Sequence, residues 1–291
     1  MSIEFHCHTL FSVDGRGTPE DAVDRAVEQG VQLLAITDHN TIDGFSRASK
    51  RAEKEGVRLL AGVEIDATWG DGRHHLLGLG FDPGNTRLRS ILERNFTTYG
   101  SSFEVLLSHF SEFGYDLDRG ELEAGLAERY PTHPAPVSNM WFARDVLLAS
   151  GVFPDRDSFH EVVDAIRQKY PGEFQSSLGA AEEAVSAVHD AGGVILLAHV
   201  TEYRPNDPAG QRRLIEELME GGVDGFELYH PRNVADVGFE KLEALADELG
   251  CLVSGGSDCH DACRQGAGGI GSMEVPGRVG KRVLEAIEAR R

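Results

Sequence analysis

Four cysteines in 291 residues, Cys7, Cys251, Cys259 and Cys263, are too sparse for a disulfide framework. Cys259 and Cys263 lack a second pair of soft ligands and so make a poor structural zinc site; they read as packing residues. Basic residues are also scarce: 28 Lys and Arg stand against 48 Asp and Glu, a formal charge of -20. So acidic a chain repels a nucleic-acid backbone, and no long nucleic acid is expected as a partner. Bound cations would still let a local pocket accept a small anion. No apolar run approaches the roughly 20 residues of a membrane span. The first residues lack a basic region followed by an apolar one, so the expectation is a cytoplasmic protein with no membrane contact. Gly-x-Ser-x-Gly, the strained turn that exposes a serine nucleophile, does not occur. Neither does the Gly-x-x-x-x-Gly-Lys phosphate loop.

What is present is a rhythm of short apolar runs alternating with helix-like stretches, the pattern of strand-helix units in a mostly parallel sheet. Strands are expected at 3–6, 32–37, 58–63, 75–79, 194–199, 225–229 and 252–254. Seven strands suit a barrel. Thr18-Pro19-Glu20-Asp21 supplies a helix cap, a proline at the first turn and acids at the positive end, and Gly30 stops that helix. From about residue 83 the segments lengthen and aromatics gather (Phe96, Tyr99, Phe103, Phe110), with prolines at 131, 134 and 136. The expected organisation is an α/β barrel over 1–84 and 180–291, interrupted by a helical insertion domain over 85–179.

Histidines and carboxylates mark the strand ends. His6 and His8 flank Cys7 in a strand-like stretch, so alternation puts both imidazoles on one face and Cys7 on the other. Such a pair is a chelating unit, since neutral imidazole is the commonest metal ligand. Asp14 precedes Gly15; Asp38 and His39 close Thr37-Asp38-His39; Glu64 follows Gly62-Val63. His75 opens an apolar pair and a glycine, His199 follows Ala198, and Asp258 and His260 lie in Gly256-Ser257-Asp258-Cys259-His260. Singly, each has an ordinary explanation: a turn for Asp14, a helix cap for Asp38, a solvated strand end for Glu64, a half-buried side chain for His75. Together they form the mixed nitrogen and oxygen set that divalent ions require, and convergence of so many polar groups has no stability advantage of its own.

In this order the motifs resemble those of the polymerase and histidinol phosphatase (PHP) family of metallophosphoesterases, over residues 3–82 and 185–261. The resemblance implies a distorted (β/α)7 TIM-like barrel with a helical insertion domain and three divalent ions, manganese, iron or zinc. One ion would sit on His6, His8, Glu64 and Asp258, a second on a bridging Glu64 with His75 and His199, and a third on Asp14, His39 and His260. Asp38 takes the place of a group that orients His39, and with Glu64 and His199 it completes the implied catalytic set. His74 is expected to face solvent.

The implied activity is hydrolysis of a small phosphorylated metabolite (a nucleotide, a sugar phosphate or a cyclic phosphate) by water attacking phosphorus with the ions' help. Alternatives are a nuclease or exonuclease of the same family, and a metal-holding regulatory module without catalysis. Close relatives carry Gly-Arg-Pro-His in the insertion, where this chain has Ser138-Asn139-Met140-Trp141. Asn139 cannot replace a bidentate guanidinium clamp. Arg204 and His230 are the candidate substitutes for gripping phosphate.

Overall fold

A computed structural model describes residues 1–70, 72–134, 140–174 and 178–291. The chain divides into two compact units, one formed by Met1–Glu93 with Gly179–Arg291 and the other by Arg94–Leu178.

The first unit is built on seven strands in sequential order: β1 (Ile3–Glu4), β2 (Leu33–Ile36), β3 (Arg58–Trp69), β4 (Gly72–Leu79), β5 (Val194–Leu197), β6 (Gly225–Tyr229) and β7 (Leu252–Gly255). Beyond β7 the chain returns to β1: Phe5 N–H donates to Gly255 O at 3.1 Å, Asp258 N–H to His6 O at 2.8 Å and His8 N–H to Cys259 O at 2.8 Å. These bonds close the sheet. It is the distorted seven-stranded barrel expected from the motifs.

The parallel rhythm breaks at β4, which is antiparallel to both β3 and β5. Gly72 pairs with Trp69 only three residues away, a separation far too short for a parallel crossover. β3 consequently runs on to Trp69, well past the six residues expected, and β4 starts three residues early. The reversal also explains why His75 stands near the start of its strand while other polar groups follow theirs. The beginning of an antiparallel strand lies at the rim where its parallel neighbours end.

Helices, among them α1 (Pro19–Glu28) and α2 (Phe45–Glu55), cover the outside of this unit. In α1 the Thr18 hydroxyl accepts the Asp21 N–H at 3.0 Å and the Asp21 carboxylate accepts the Thr18 N–H at 2.7 Å, a reciprocal cap. Leu33, Ile65, Leu76, Leu196 and Phe226 fill the interior without solvent contact. Gly256 permits a close approach: a Cβ there would lie 2.3 Å from Glu4 Oε1 and 2.4 Å from His6 N.

The second unit contains the later part of α3 (Thr86–His109), then α4 (Arg119–Arg129), α5 (Met140–Ala149) and α6 (Arg156–Lys169). No strand occurs among its described residues. Its own core gathers Phe103, Phe110, Phe142, Phe153 and Phe159, with Tyr115 stacked on Phe153 at 4.0 Å. Asp118 and Asp155 cap α4 and α6. This is the helical insertion.

Candidate metal centre

Glu64 lies at the middle of the polar cluster, buried on β3. Its Oε1 is 3.0 Å from His75 Nδ1 and 3.0 Å from His199 Nε2. Oε2 is 3.1 Å from His6 Nε2, 3.3 Å from His8 Nε2 and 3.4 Å from His39 Nε2. Burial alone would raise the Glu64 carboxyl, but the charges of His39, His6 and His75 outweigh it and hold it well below the usual carboxylate range. One carboxylate thus faces five imidazoles.

Asp258 and Asp14 complete the arrangement on either side. Asp258 Oδ1 lies 3.2 Å from Nε2 of both His6 and His8. Asp14 Oδ2 lies 3.1 Å from His260 Nε2 and 3.4 Å from His39 Nε2. Burial would lower His260, yet the Asp14 charge pushes it up to about 9. His199 and Asp258 both hold a left-handed backbone, φ 26° and 52°, a conformation that non-glycine residues rarely adopt and that recurs at functional sites.

The donor atoms fall into overlapping groups, each within 4.8 Å: His6, His8, Glu64 and Asp258; His8, Asp14, His39 and His260; His39, Glu64 and His75. Imidazole nitrogens and carboxylate oxygens directed at shared points, buried or half-buried and with the His8 and His260 rings stacked at 4.3 Å, suit divalent cations of intermediate softness. The arrangement is a site for more than one metal ion. It brings together all nine residues to which the motifs assigned ligand roles.

Three expectations change. Asp38 does not orient His39: its carboxylate accepts the Thr9 N–H at 2.6 Å and the Thr9 hydroxyl at 2.8 Å, pinning the loop after β1. His39 Nδ1 faces Asp66 instead, at 3.5 Å. His74 is buried rather than solvent-facing, its ring 4.6 Å from that of Tyr203. His230 has no ring nitrogen left for a phosphate: Nε2 meets Asp258 Oδ2 at 3.2 Å and Nδ1 accepts the Arg232 N–H at 3.1 Å. Arg204 is exposed, with its guanidinium on the Tyr203 carbonyl at 2.8 Å, and Asn139 lies outside the described residues.

Two buried carboxylates escaped the sequence reading. Glu227 on β6 accepts from His6 Nδ1 at 3.0 Å through Oε1 and from the His199 N–H at 3.0 Å through Oε2. Asp66 stands opposite His75 in the β3–β4 register, with His75 Nε2 3.1 Å from its Oδ1. An acid two residues after Glu64, on the same strand face, was the available signal.

Residues 4–136 match the model of the PHP domain. Over 274 residues the chain is 30% identical to a 5'-3' exoribonuclease of Haemophilus influenzae, covering 89% of this chain and 90% of that protein. Over 291 residues it is 29% identical to a 3',5'-nucleoside bisphosphate phosphatase of Chromobacterium violaceum, covering 99% and 97% respectively. A structure named as a metal-dependent phosphoesterase of Bifidobacterium adolescentis superposes with a TM-score of 0.77 at 26% identity, over 98% of this chain and 96% of that one. The chain belongs to the PHP domain family. Within it, the barrel and the polar cluster define a metal-dependent phosphoesterase acting on a small phosphorylated substrate.

Proposed function

We propose that the substrate is a small nucleotide and that the enzyme removes a phosphate borne on its ribose. The reading rests on Glu64, whose two oxygens face different imidazole sets, as expected of a carboxylate shared between ions. In it, His6, His8, Glu64 and Asp258 would hold one ion, Glu64, His75 and His199 a second, and Asp14, His39 and His260 a third. Divalent manganese, iron or zinc there would supply Lewis-acid charge to the phosphoryl oxygens and acidify water. The chain's own part is to fix ligands before substrate arrives: Glu227 holds His6 and the His199 backbone, His230 holds Asp258, and Asp38 holds Thr9. Arg204, exposed in the turn after His199, is the proposed contact for a second anionic group of the substrate. The nucleotide class is supported by two relatives, one named for 3',5'-nucleoside bisphosphates and the other as an exoribonuclease.

The test is hydrolysis of a panel of nucleoside bisphosphates, monophosphates, sugar phosphates and cyclic phosphates, after chelation and after reloading with each metal. Chelated protein should be inactive, and manganese, iron or zinc should restore it with nucleotides preferred. Full turnover by Glu64→Gln or Asp258→Asn would refute the site. A second reading, an exoribonuclease, is favoured by the Haemophilus relative and opposed by the charge of -20. Steeply salt-dependent binding to RNA single strands with stepwise release of mononucleotides would decide for it.

A further inference from the structure

Five of the six converging histidines point Nε2 inward: His6, His8 and His199 toward Glu64, His39 toward Asp14 and Glu64, and His260 toward Asp14. His75 alone is reversed, with Nδ1 on Glu64 at 3.0 Å and Nε2 directed outward at Asp66. We infer that Asp66 is a positioning residue that imposes this reversal, fixing the proton of His75 on Nε2 so that the Nδ1 lone pair is free for an ion, while holding the opposite tautomer in His39. The assignment rests on the metal-dependent reading above and goes beyond it, to which nitrogen each of two ligands presents.

The polar contacts around Asp66 favour one arrangement. Asp66 N–H donates to Asn40 Oδ1 at 3.0 Å, which turns the Asn40 amide so that its Nδ2 donates to Asp66 Oδ2 at 2.9 Å. Arg73 donates to the same Oδ2 through Nη2. Oδ1 faces His75 Nε2 at 3.1 Å and His39 Nδ1 at 3.5 Å. Arg73 and Asn40 can only donate at these contacts, and an ionised carboxylate can only accept. Neither ring closes a hydrogen bond to Oδ1, but at ion-pair distance an ionised carboxylate oxygen favours a ring N–H over a ring lone pair, and this preference assigns His75 Nδ1 and His39 Nε2 as the unprotonated nitrogens. Asn40 holds a left-handed backbone at φ 51°, which Asn tolerates better than most residues, and so keeps its amide against Asp66.

Asp66→Asn tests the assignment sharply, because an amide has one accepting end and four donors to satisfy. With its oxygen toward Asn40 and Arg73, its NH2 faces His75 Nε2 and drives the imidazole proton onto Nδ1, removing the ligating lone pair. Zinc titration against a competing chelator should show one binding step weakened by about 10- to 100-fold, as for other partners that orient metal-bound histidines. Long-range nitrogen-proton NMR on 15N-histidine-labelled, zinc-loaded wild type should find the His75 proton on Nε2 and the His39 proton on Nδ1. That spectrum decides the matter even if the variant fails to fold. Zinc on His75 Nε2 in the wild type, or wild-type zinc affinity in a folded Asp66→Asn, would overturn the assignment and leave the proposed function standing. A wild-type protein that takes up no divalent ion would overturn both.

Discussion

Glu227 and His6 share a 3.0 Å hydrogen bond between two side chains without solvent contact, from residues 221 positions apart in the chain. Burial alone would lower the His6 imidazole, but Glu227, Glu64 and Asp258 together hold it well above its ordinary value. The same Glu227 accepts the backbone N–H of His199, so one carboxylate ties two proposed ligands together.

Glu227→Gln should fold but bind metal about 10- to 100-fold more weakly, since an amide oxygen can serve His6 or the His199 N–H and not both. Glu227→Ala leaves His6 Nδ1 and the His199 N–H without their acceptor, while Glu64 and Asp258 still face His6 Nε2, and should cost about 1–3 kcal/mol of stability. Isothermal titration with zinc and chemical denaturation of the metal-free protein measure the two effects.

Metal removal should lower stability as well as activity. An ion that binds only the folded chain adds about 2.7 kcal/mol per site at a hundredfold excess over its dissociation constant. The unfolding midpoint should therefore fall on chelation and climb with added manganese or zinc. An unchanged midpoint at saturating metal would contradict binding at this centre.

Asp224 offers a pH-dependent test away from the metal centre. Its carboxylate accepts the Ile195 N–H at 2.8 Å, meets His189 at 3.1 Å and pairs with both Arg290 Nη atoms at 2.6 and 2.9 Å. Burial would raise its pKa; His189, Arg290 and the Ile195 N–H outweigh that and lower it. A depressed carboxylate contributes stability that is complete above the unfolded value of about 3.9 and is lost as pH falls through the folded one. The gap in stability between wild type and Asp224→Asn should be wide at pH 7 and close progressively below about pH 4. Denaturation series across that range read it directly.

Gly256→Ala should be costly for a single methyl. Glu4, which the new Cβ would strike, is fixed by the N–H groups of His6, Ser257 and Gly271 at 3.2, 2.8 and 2.9 Å. Relief requires β1 to shift, at about 1–3 kcal/mol for such overpacking. Because His6 moves with β1, metal affinity should fall in parallel with the melting temperature.

Much of this molecule is legible in its sequence. Seven apolar runs yield seven strands, and the acids and histidines at their ends converge as their types suggest. What escaped is local to the β3–β4 hairpin and to long-range pairing. Taking β3 to end at Val63 left Asp66 outside any strand, hiding its place opposite His75. A lone glutamate inside Gly225–Tyr229 carries no periodic signal, and its purpose depends on His6 from the far end of the sheet. Asp38 looked adjacent to the task of orienting His39, but both residues lie beyond the end of β2, where Asp38 turns to Thr9.

The seam where β1 meets the stretch after β7 sets a timetable for the enzyme's maturation. His8 meets Asp258 across 250 residues of chain, whereas Glu64, Asp66 and His75 are neighbours through one hairpin. As synthesis proceeds, the hairpin carboxylates and His75 can assemble early, with His6 and His8 facing Glu64, but those two histidines wait without Asp258 until Gly256 to His260 has emerged. An ion held on the proposed ligands His6, His8, Glu64 and Asp258 would therefore load late and would clasp the first strand to the stretch after the last.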